Sequence, residues 1–485
     1  MLNKSNQFMR EANLIGGEWV QADSGQTIDV VNPANGKVIG TVPKAGKAET
    51  RRAIEAAEAA FQTFRKTTAL DRSKMLRKLH DALMDNQLAL AELLTMEQGK
   101  SLTEAKGEIA SSAAYVLWFA EEARRTYGDV VPSPWGDRRI LVTREPVGVI
   151  AAITPWNFPS SMLARKIGPA IAAGCTAVVK PASQTPYSGL AWGALAEEAG
   201  VPKGVVNVVT GAAGEIGDEL TSNPLVKKIT FTGSTEVGKV LMAKAAQTVK
   251  KVSMELGGNA PFLVFDDADL DRAVAGAMTA KYRNSGQTCV CTNRFFVQDG
   301  IYDRFVEKLA AASAKLKIGP GLDEGVEQGP LIDEKAVEKV EEFVADATAK
   351  GGRVMAGGKR HALGGSFFEP TVIADAKPDM MFMREEIFGP VAPVFRFEKE
   401  EEAIAMANDT EFGLACYFYT GDLGRAFRVM EGLKYGMVGV NEGLITTPEA
   451  PFGGVKESGL GREGGHQGIE DYLDTKYVCI GGLGL

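Results

Sequence analysis

The sequence predicts an α/β protein with a parallel, doubly wound sheet and more than one domain. From residue 147 onward, short apolar runs alternate with longer helical segments, a pattern typical of parallel sheets covered by helices. The runs are continuously apolar, as expected of strands buried on both faces. At 485 residues the chain also exceeds what one hydrophobic core normally serves.

The N-terminal part has a different pattern. Residues 15–45 are rich in turn pairs and predict short strands joined by turns. Helical spacing of apolar residues then predicts three long helices, near 49–66, 70–97 and 101–126. The alternating segment 140–145 predicts a strand set apart from the main sheet.

Two series of buried strands follow, and we expect the boundary between them near Gly257. The strands are predicted at 147–153, 176–179, 205–209 and 228–231, and then at 261–265, 294–298 and 437–440. The last segment, 474–480, is also a strand candidate. Because an unpaired strand is an open edge, we expect it to pair with 140–145 or with another subunit.

Composition narrows the classes of function. With 54 basic and 62 acidic residues the net charge is −8, which argues against nucleic acid or an anionic membrane as partner. No apolar segment is long enough for a leader or a membrane span, so we expect a cytoplasmic protein. Five cysteines without a paired framework indicate free thiols, and three scattered histidines argue against a metal site. Small-molecule chemistry is the expectation.

Cys289 is the candidate nucleophile. Most free cysteines pack as small hydrophobic residues, and Cys175, Cys416 and Cys479 lie in apolar runs that suit this role. Cys289 instead follows Gly286-Gln287-Thr288 in a polar loop, where backbone N–H groups and small side chains suit a reactive thiolate.

Ligands of doubly wound sheets bind beyond the carboxyl ends of the strands. Asn157 follows the first buried strand and is either a helix cap or an amide that stabilises an oxyanion. Lys180 follows the second, where it is either solvated or holds ribose hydroxyls or a phosphate. Ser234 lies in a glycine turn that opens a helix whose N–H groups suit an anion.

Glu255 lies between an apolar strand and the pair Gly257-Gly258. It is either a general base with a raised pKa or a salt-bridged residue at a domain hinge. The glycine pattern at 459–464 has the spacing of a dinucleotide fingerprint, but no strand precedes it, so we reject it.

The sequence resembles the NAD(P)-dependent aldehyde dehydrogenase superfamily over nearly its whole length. Seven motifs occur in order: Pro155–Pro159, Lys180–Ser183, Phe231–Ser234, Glu255–Gly258, Gly286–Cys289, Glu385–Pro390 and Pro451–Gly454. The resemblance implies a Rossmann-like parallel-sheet cofactor domain, an α/β catalytic domain and a small β oligomerisation arm. Their expected bounds are 1–122 with 146–257, then 258–457, and 123–145 with 469–485. Homodimers or homotetramers are implied.

The resemblance also implies roles for residues. Cys289 is the nucleophile, Glu255 the base, and Asn157 forms the oxyanion hole with the Cys289 backbone N–H. The cofactor would contact Ile153, Pro155, Trp156, Lys180, Ala182, Ser183, Thr232, Gly233, Ser234, Val237, Leu256, Glu386 and Phe388. Such a set oxidises an aldehyde through a cysteine adduct, passes hydride to nicotinamide and hydrolyses a thioester.

Ser183 bears on the choice of cofactor. NAD-preferring relatives commonly carry glutamate at this position, whose charge repels a 2′-phosphate. A serine beside Lys180 removes that repulsion, so we predict that NADP is preferred and that NAD is accepted.

Within the superfamily, the sequence is most similar to succinate-semialdehyde dehydrogenases. Arg165, Arg283 and Thr447 are expected to bind the distal carboxylate of succinic semialdehyde, although both arginines could equally be surface residues. Glutaric semialdehyde is the alternative, because a pocket discriminates one methylene only modestly.

Three questions stay open at this point. Cys291 either forms a reversible, inactivating disulfide with Cys289 or merely packs. A thiol acyltransferase or esterase without a nicotinamide cofactor would leave Lys180, Ser183 and Glu386 unexplained. A silent structural protein on the same fold would not need both Cys289 and Glu255.

Overall fold

The computed structural model describes residues 6–483. Their strands are β1 (Asn13–Ile15), β2 (Glu18–Val20), β3 (Thr27–Asn32), β4 (Lys37–Pro43), β5 (Asp129–Val131), β6 (Arg139–Pro146), β7 (Val149–Ile153), β8 (Thr176–Lys180), β9 (Val206–Val208), β10 (Val226–Thr232), β11 (Lys251–Glu255), β12 (Ala260–Val264), β13 (Thr292–Gln298), β14 (Arg353–Ala356), β15 (Thr371–Ala374), β16 (Val391–Phe397), β17 (Ala415–Tyr419), β18 (Met437–Val440), β19 (Gly459–Leu460) and β20 (Leu473–Ile480).

The helices alternate with the strands from β7 onward. They are α1 (Lys47–Phe64), α2 (Ala69–Asp85), α3 (Gln87–Gln98), α4 (Leu102–Glu122), α5 (Pro159–Ala173), α6 (Pro186–Glu198), α7 (Ala213–Ser222), α8 (Thr235–Ala245), α9 (Leu270–Tyr282), α10 (Tyr302–Ser313), α11 (Glu334–Ala349), α12 (Glu400–Asn408), α13 (Leu423–Gly432) and α14 (Gln467–Glu470). None of these described helices is long and apolar enough to cross a lipid bilayer.

The largest sheet confirms the predicted parallel α/β architecture. Its order is β19-β11-β10-β7-β8-β9-β1-β2, and the strands from β11 to β9 are parallel. Every residue of β7 and β8 is buried, which is why both strands read as unbroken apolar runs. Their carboxyl ends place the segments that follow them on one edge of the sheet.

A second sheet, ordered β14-β15-β16-β13-β12-β17-β18, is parallel except at β14. It contains the strands predicted at 261–265, 294–298 and 437–440. The three-domain division remains a prediction, and β19 lies in residues 458–468, which that division leaves unassigned. This short strand follows residue 457 yet pairs with β11 of the first sheet.

The third sheet has the order β20-β6-β5 and is antiparallel. β20 pairs with β6 along its whole length, from Leu473 opposite Pro146 to Ile480 opposite Arg139. The predicted pairing of the last strand with residues 140–145 therefore occurs within one chain.

One helix prediction is wrong. The segment 70–97 is two helices, because α2 ends before Asn86 and α3 begins after it. Asn86 has φ −105° and ψ 11°, and its side-chain amide donates to the Ala82 carbonyl. Asparagine competes in this way with the backbone bonds that would continue a helix.

Candidate active site

Cys289 lies between two cavities. It follows the short 3-10 turn Arg283–Gly286 at the end of α9, and its side chain is half-buried. A cavity of about 390 Å³ and another of about 290 Å³ both have Cys289 and Met162 in their walls. Two different ligands can therefore reach the same sulfur from separate spaces.

An unusual backbone presents this cysteine. Asn284, Ser285 and Gly286 have φ values of 52°, 57° and 76°, and a Cβ on Gly286 would lie 2.2 Å from the Gly389 carbonyl oxygen. Only glycine fits that position. The Gln287 amide oxygen accepts from the Ile332 N–H at 2.9 Å. This bond ties the loop to the segment that leads into α11.

The thiol of Cys289 is protonated in the free protein. Burial raises its pKa to about 12; Glu386 and Glu255 add to the effect, and the positive charge of Arg165 opposes it. Attack by sulfur therefore requires that a proton leave before or as the bond forms.

Asn157 does not cap α5. The N-cap position belongs to Phe158, which makes no side-chain cap bond, and Pro159 occupies the first helical turn. The Asn157 amide nitrogen instead donates to the Gln287 carbonyl at 3.0 Å, two residues before Cys289. One N–H is thus used to orient the amide, and the second is left for a ligand.

Glu255 ends β11 and is only 4% exposed. Burial raises its pKa well above the ordinary value, with a further contribution from Glu463. Its Oε2 has no hydrogen-bond partner and it forms no ion pair among the described residues. These observations favour a general base over a salt-bridged hinge residue.

Lys166 and Glu463 lie at the site, although the sequence did not predict them there. The Lys166 ammonium, fully buried, donates to Glu463 and to the Thr232 hydroxyl. Glu463 also lies 3.7 Å from the guanidinium of Arg165. Glu463 lies within the rejected glycine pattern 459–464 and outside any helix or longer strand, so no periodicity in the sequence marks it.

The larger cavity collects most of the predicted cofactor residues. Those in its wall are Pro155, Trp156, Thr232, Gly233, Ser234, Leu256, Glu386 and Phe388. The Ser234 hydroxyl caps α8 through the Val237 N–H, and the rings of Trp156 and Phe388 meet edge to face at 5.5 Å.

The Glu386 carboxyl lines this cavity and has a raised pKa. Burial raises its pKa to about 7, while hydrogen bonding from the Gly258 N–H, at 3.1 Å, opposes the shift. A Cβ on Gly257 would lie 3.1 Å from the same carboxyl. Glycine therefore leaves the carboxyl room to face a ligand.

Other predicted cofactor residues lie outside this wall. Ile153 packs in the core under the sheet, and Val237 is 48% exposed on α8. Lys180 is buried, which lowers its pKa to about 8, and its ammonium donates only to the neighbouring Pro181 carbonyl. Exposed Ser183 lines a third cavity of about 700 Å³; Ala182 precedes it.

The smaller cavity contains two arginines. Arg165 lies between the rings of Tyr115 and Phe452, at 4.6 and 4.4 Å from their centres. Its Nε and Nη1 are buried without a hydrogen-bond partner among the described residues. Arg283 is half-buried and lines the same wall. Neither is an ordinary surface arginine.

Thr446 lines this cavity and Thr447 does not, so the predicted substrate contact of Thr447 stays a prediction. The Thr447 hydroxyl donates to Glu449, and the Thr447 carbonyl accepts from the Tyr115 hydroxyl at 3.1 Å.

Cys291 is buried, and its thiol donates to the Lys281 carbonyl at 3.3 Å. Its bond to Cys289 under oxidation stays a prediction. No cluster of three or more side chains that could hold a metal ion occurs in residues 6–483.

Comparison with known proteins places this site in a family. The aldehyde dehydrogenase family model matches residues 19–478. The chain is 63% identical to a glutarate-semialdehyde dehydrogenase of Pseudomonas aeruginosa and 61% identical to the NADP(+) succinate-semialdehyde dehydrogenase of Escherichia coli, with 99% of each chain covered. A solved succinate-semialdehyde dehydrogenase from Burkholderia pseudomallei superposes with a TM-score of 0.97 at 60% identity, covering 98% of both chains. The chain belongs to the aldehyde dehydrogenase family.

Proposed function

We propose that this enzyme oxidises succinic semialdehyde to succinate with NADP as the preferred oxidant. One observation carries the choice of substrate: Arg165 and Arg283 line the cavity that meets the cofactor cavity at Cys289. A short aldehyde with an anionic end fits between that sulfur and the arginines. The names of the relatives support the same class of substrate.

The reaction uses the residues around the sulfur. The Cys289 thiol gives up its proton to water, the thiolate adds to the aldehyde carbon, and the resulting oxyanion accepts from the Asn157 amide and the Cys289 backbone N–H. A bound nicotinamide would accept the hydride that leaves this carbon. Glu255 then takes a proton from water, which attacks the thioester and releases the carboxylic acid and the free thiol.

Recognition of the distal carboxylate falls to Arg165, Arg283 and Thr446. The rings of Tyr115 and Phe452 hold the Arg165 guanidinium in place. Its Nε and Nη1, which have no hydrogen-bond partner among the described residues, can donate to a carboxylate. Charge-assisted bonds of this kind contribute about 1.5–3 kcal/mol each. Glutaric semialdehyde is the second candidate, since one methylene changes binding by only about 1–3 kcal/mol.

The cofactor residues fit a dinucleotide with a 2′-phosphate. Lys180 is a buried cation without a carboxylate partner among the described residues, and Ser183 brings no negative charge beside it. The N-terminus of α8, opened by Gly233 and capped by Ser234, suits the pyrophosphate. Glu386 and Phe388 would face the nicotinamide ribose.

Assembly and location belong to the same proposal. We expect a homodimer or homotetramer formed through the β20-β6-β5 sheet, working in the cytoplasm without a nucleic-acid or membrane partner. Exposed apolar side chains on that sheet, such as Val130 at 75% and Tyr477 at 61%, support the interface.

The test compares substrates and cofactors on purified enzyme. NADPH formation is followed with succinic semialdehyde, glutaric semialdehyde and acetaldehyde, and NAD is then substituted for NADP. We expect kcat/KM for succinic semialdehyde to exceed that for acetaldehyde by about 100-fold or more, from two charge-assisted contacts. Arg283→Ala should remove most of this preference, and the exposed Arg304→Ala should retain it.

Each part of the proposal can fail separately. Equal rates with all three aldehydes would return Arg165 and Arg283 to structural roles. A higher kcat/KM for glutaric semialdehyde would favour the second candidate. A strong preference for NAD would overturn only the cofactor argument from Ser183 and would leave the choice of substrate intact.

A further inference from the structure

A buried ion pair lies at the edge of the active site, where Glu108 also belongs to the wall of the smaller cavity. Lys100 and Glu108 have fully buried side chains, and the Lys100 ammonium lies 2.6 Å from a Glu108 carboxylate oxygen. Removing two charges from water costs several kcal/mol per ion, which a buried pair often fails to recover. Neither residue has a part in the chemistry described above.

Both members of the pair hold the segment that carries Asn157. The Lys100 ammonium donates to the Asn157 carbonyl at 2.7 Å. Glu108 accepts from the backbone N–H groups of Ser160 and Ser161, at 2.9 and 3.2 Å, at the start of α5. The pair therefore fixes the chain on both sides of the Asn157 side chain.

The same network reaches the loop of Cys289. The Asn284 amide donates to the Asn157 carbonyl at 3.0 Å. Its amide oxygen accepts from Gln98 at 3.0 Å, and the Gln98 amide oxygen in turn accepts from the Lys100 N–H at 2.9 Å. One junction between α3 and α4 thus contacts both halves of the site.

We propose that Lys100, held by Glu108, is the positioning residue that sets the Asn157 amide against the Cys289 sulfur. The inference rests on the proposed oxyanion role of Asn157. Lys100 touches no reacting atom; it acts by keeping a donor in place. A displacement of about 1 Å in such a donor costs about 100-fold in rate.

The test separates two reactions of Cys289. Acylation by 4-nitrophenyl acetate passes through an oxyanion, whereas alkylation by iodoacetamide does not. A misplaced Asn157 slows acylation and leaves alkylation unchanged, while a generally loosened site alters both. The ratio of the two rates, without cofactor, therefore reports oxyanion stabilisation alone.

The variants are Lys100→Met, Glu108→Gln and the double variant, in which no charge is left unpaired. Asn157→Ala sets the scale, because losing one oxyanion donor costs about 100- to 1000-fold. We expect each single variant to lower the acylation-to-alkylation ratio by about 10-fold or more. The double variant should lower the ratio by clearly less than the product of the two single effects, since both act on one amide.

Arg72→Met is the matched control. Arg72 is a buried cation that donates to the Ala172 carbonyl at 2.9 Å, at the far end of the same helix α5. Its loss should lower the melting temperature and leave the ratio unchanged. A fall of the ratio in this variant would show that any loosening of α5 suffices, and would overturn the proposal.

The remaining outcomes are distinct. Unchanged ratios in the Lys100 and Glu108 variants, with a lowered ratio in Asn157→Ala, overturn the positioning role only. An unchanged ratio in Asn157→Ala overturns the oxyanion role in the proposed function, and the positioning role with it. Should Lys100→Met fail to fold, Glu108→Gln and the double variant decide the question.

Discussion

Two carboxyl groups near the sulfur have pKa values raised by burial, and each has its own task. Glu255 has an unpartnered oxygen and lies close enough to raise the pKa of Cys289. Glu386 lines the larger of the two cavities at Cys289, and burial raises its pKa to about 7. Because the two are held in different surroundings, their effects on the reaction can be separated by substitution.

Glu255→Gln should separate hydride transfer from hydrolysis. Without a base to activate water, the thioester accumulates, so we expect a burst of about one NADPH per active site and a turnover slowed by about 100-fold or more. Rapid-mixing absorbance measures both phases. Cys289→Ser serves as the control without a burst, and a variant with no burst but normal turnover would contradict the assignment of Glu255.

Glu386 should make cofactor binding depend on pH. Its pKa is raised to about 7, so the carboxylate that accepts from ribose hydroxyls is present above that pH and lost as pH falls through it. We expect KM for NADP to rise below about pH 7 in the wild-type enzyme and to stay flat in Glu386→Gln. An unchanged pH profile in that variant would assign the titration to another group.

The sequence predicts where some residues of the site lie and does not predict others. Asn157 and Glu255 follow buried strands, so the sheet topology alone places both at one edge of the sheet. The left-handed backbone at Asn284 and Ser285 follows from no propensity, because non-glycine residues adopt it only where the surroundings impose it. Lys166 and Glu463 meet across 297 residues, a distance that local patterns do not bridge.

At the scale of elements, buried strands were predictable and irregular segments were not. β7, β8 and β12 carry continuous apolar runs that only a two-sided burial explains. The segment holding Thr446 and Thr447 lacks any such period, so the sequence could not tell which of the two threonines lines the cavity. The break at Asn86 was missed for a similar reason, since helical spacing continues on both sides of it.

The facing of this segment gives a paired test. Thr446→Val should raise KM for succinic semialdehyde by about 10-fold, the value of one hydrogen bond to a charged group, with little change in kcat. Thr447→Val should leave both constants unchanged, because its hydroxyl is engaged with Glu449. Steady-state kinetics decides, and the opposite pattern would support the original prediction.

At the scale of the whole molecule, the third sheet is separate from the two larger sheets. Its strands β5 and β20 are edges within one chain, and exposed Val130 and Tyr477 lie on them. Edges of this kind are normally covered or charged in isolated proteins. The sequence could predict that the last strand pairs with residues 140–145 or with another subunit, but it could not decide between the two or say what covers this sheet, because no second chain is encoded in a local pattern.

Positive charges introduced on that sheet should reduce the size of the oligomer proposed above. Val130→Lys combined with Tyr477→Lys is expected to shift the enzyme to smaller species in sedimentation velocity, since lysine on an edge strand opposes pairing. Leu322→Lys, which changes a 47% exposed residue elsewhere, is the control. An unchanged sedimentation coefficient in the double variant would place the interface on another face.

In the proposed reaction, the separate cavities on either side of Cys289 also determine from which side each ligand arrives. An aldehyde arriving on the arginine side does not cross the space that a dinucleotide occupies, because only Met162 and Cys289 belong to both walls. In the proposed reaction, the acid and the reduced dinucleotide would therefore leave from different sides of Cys289.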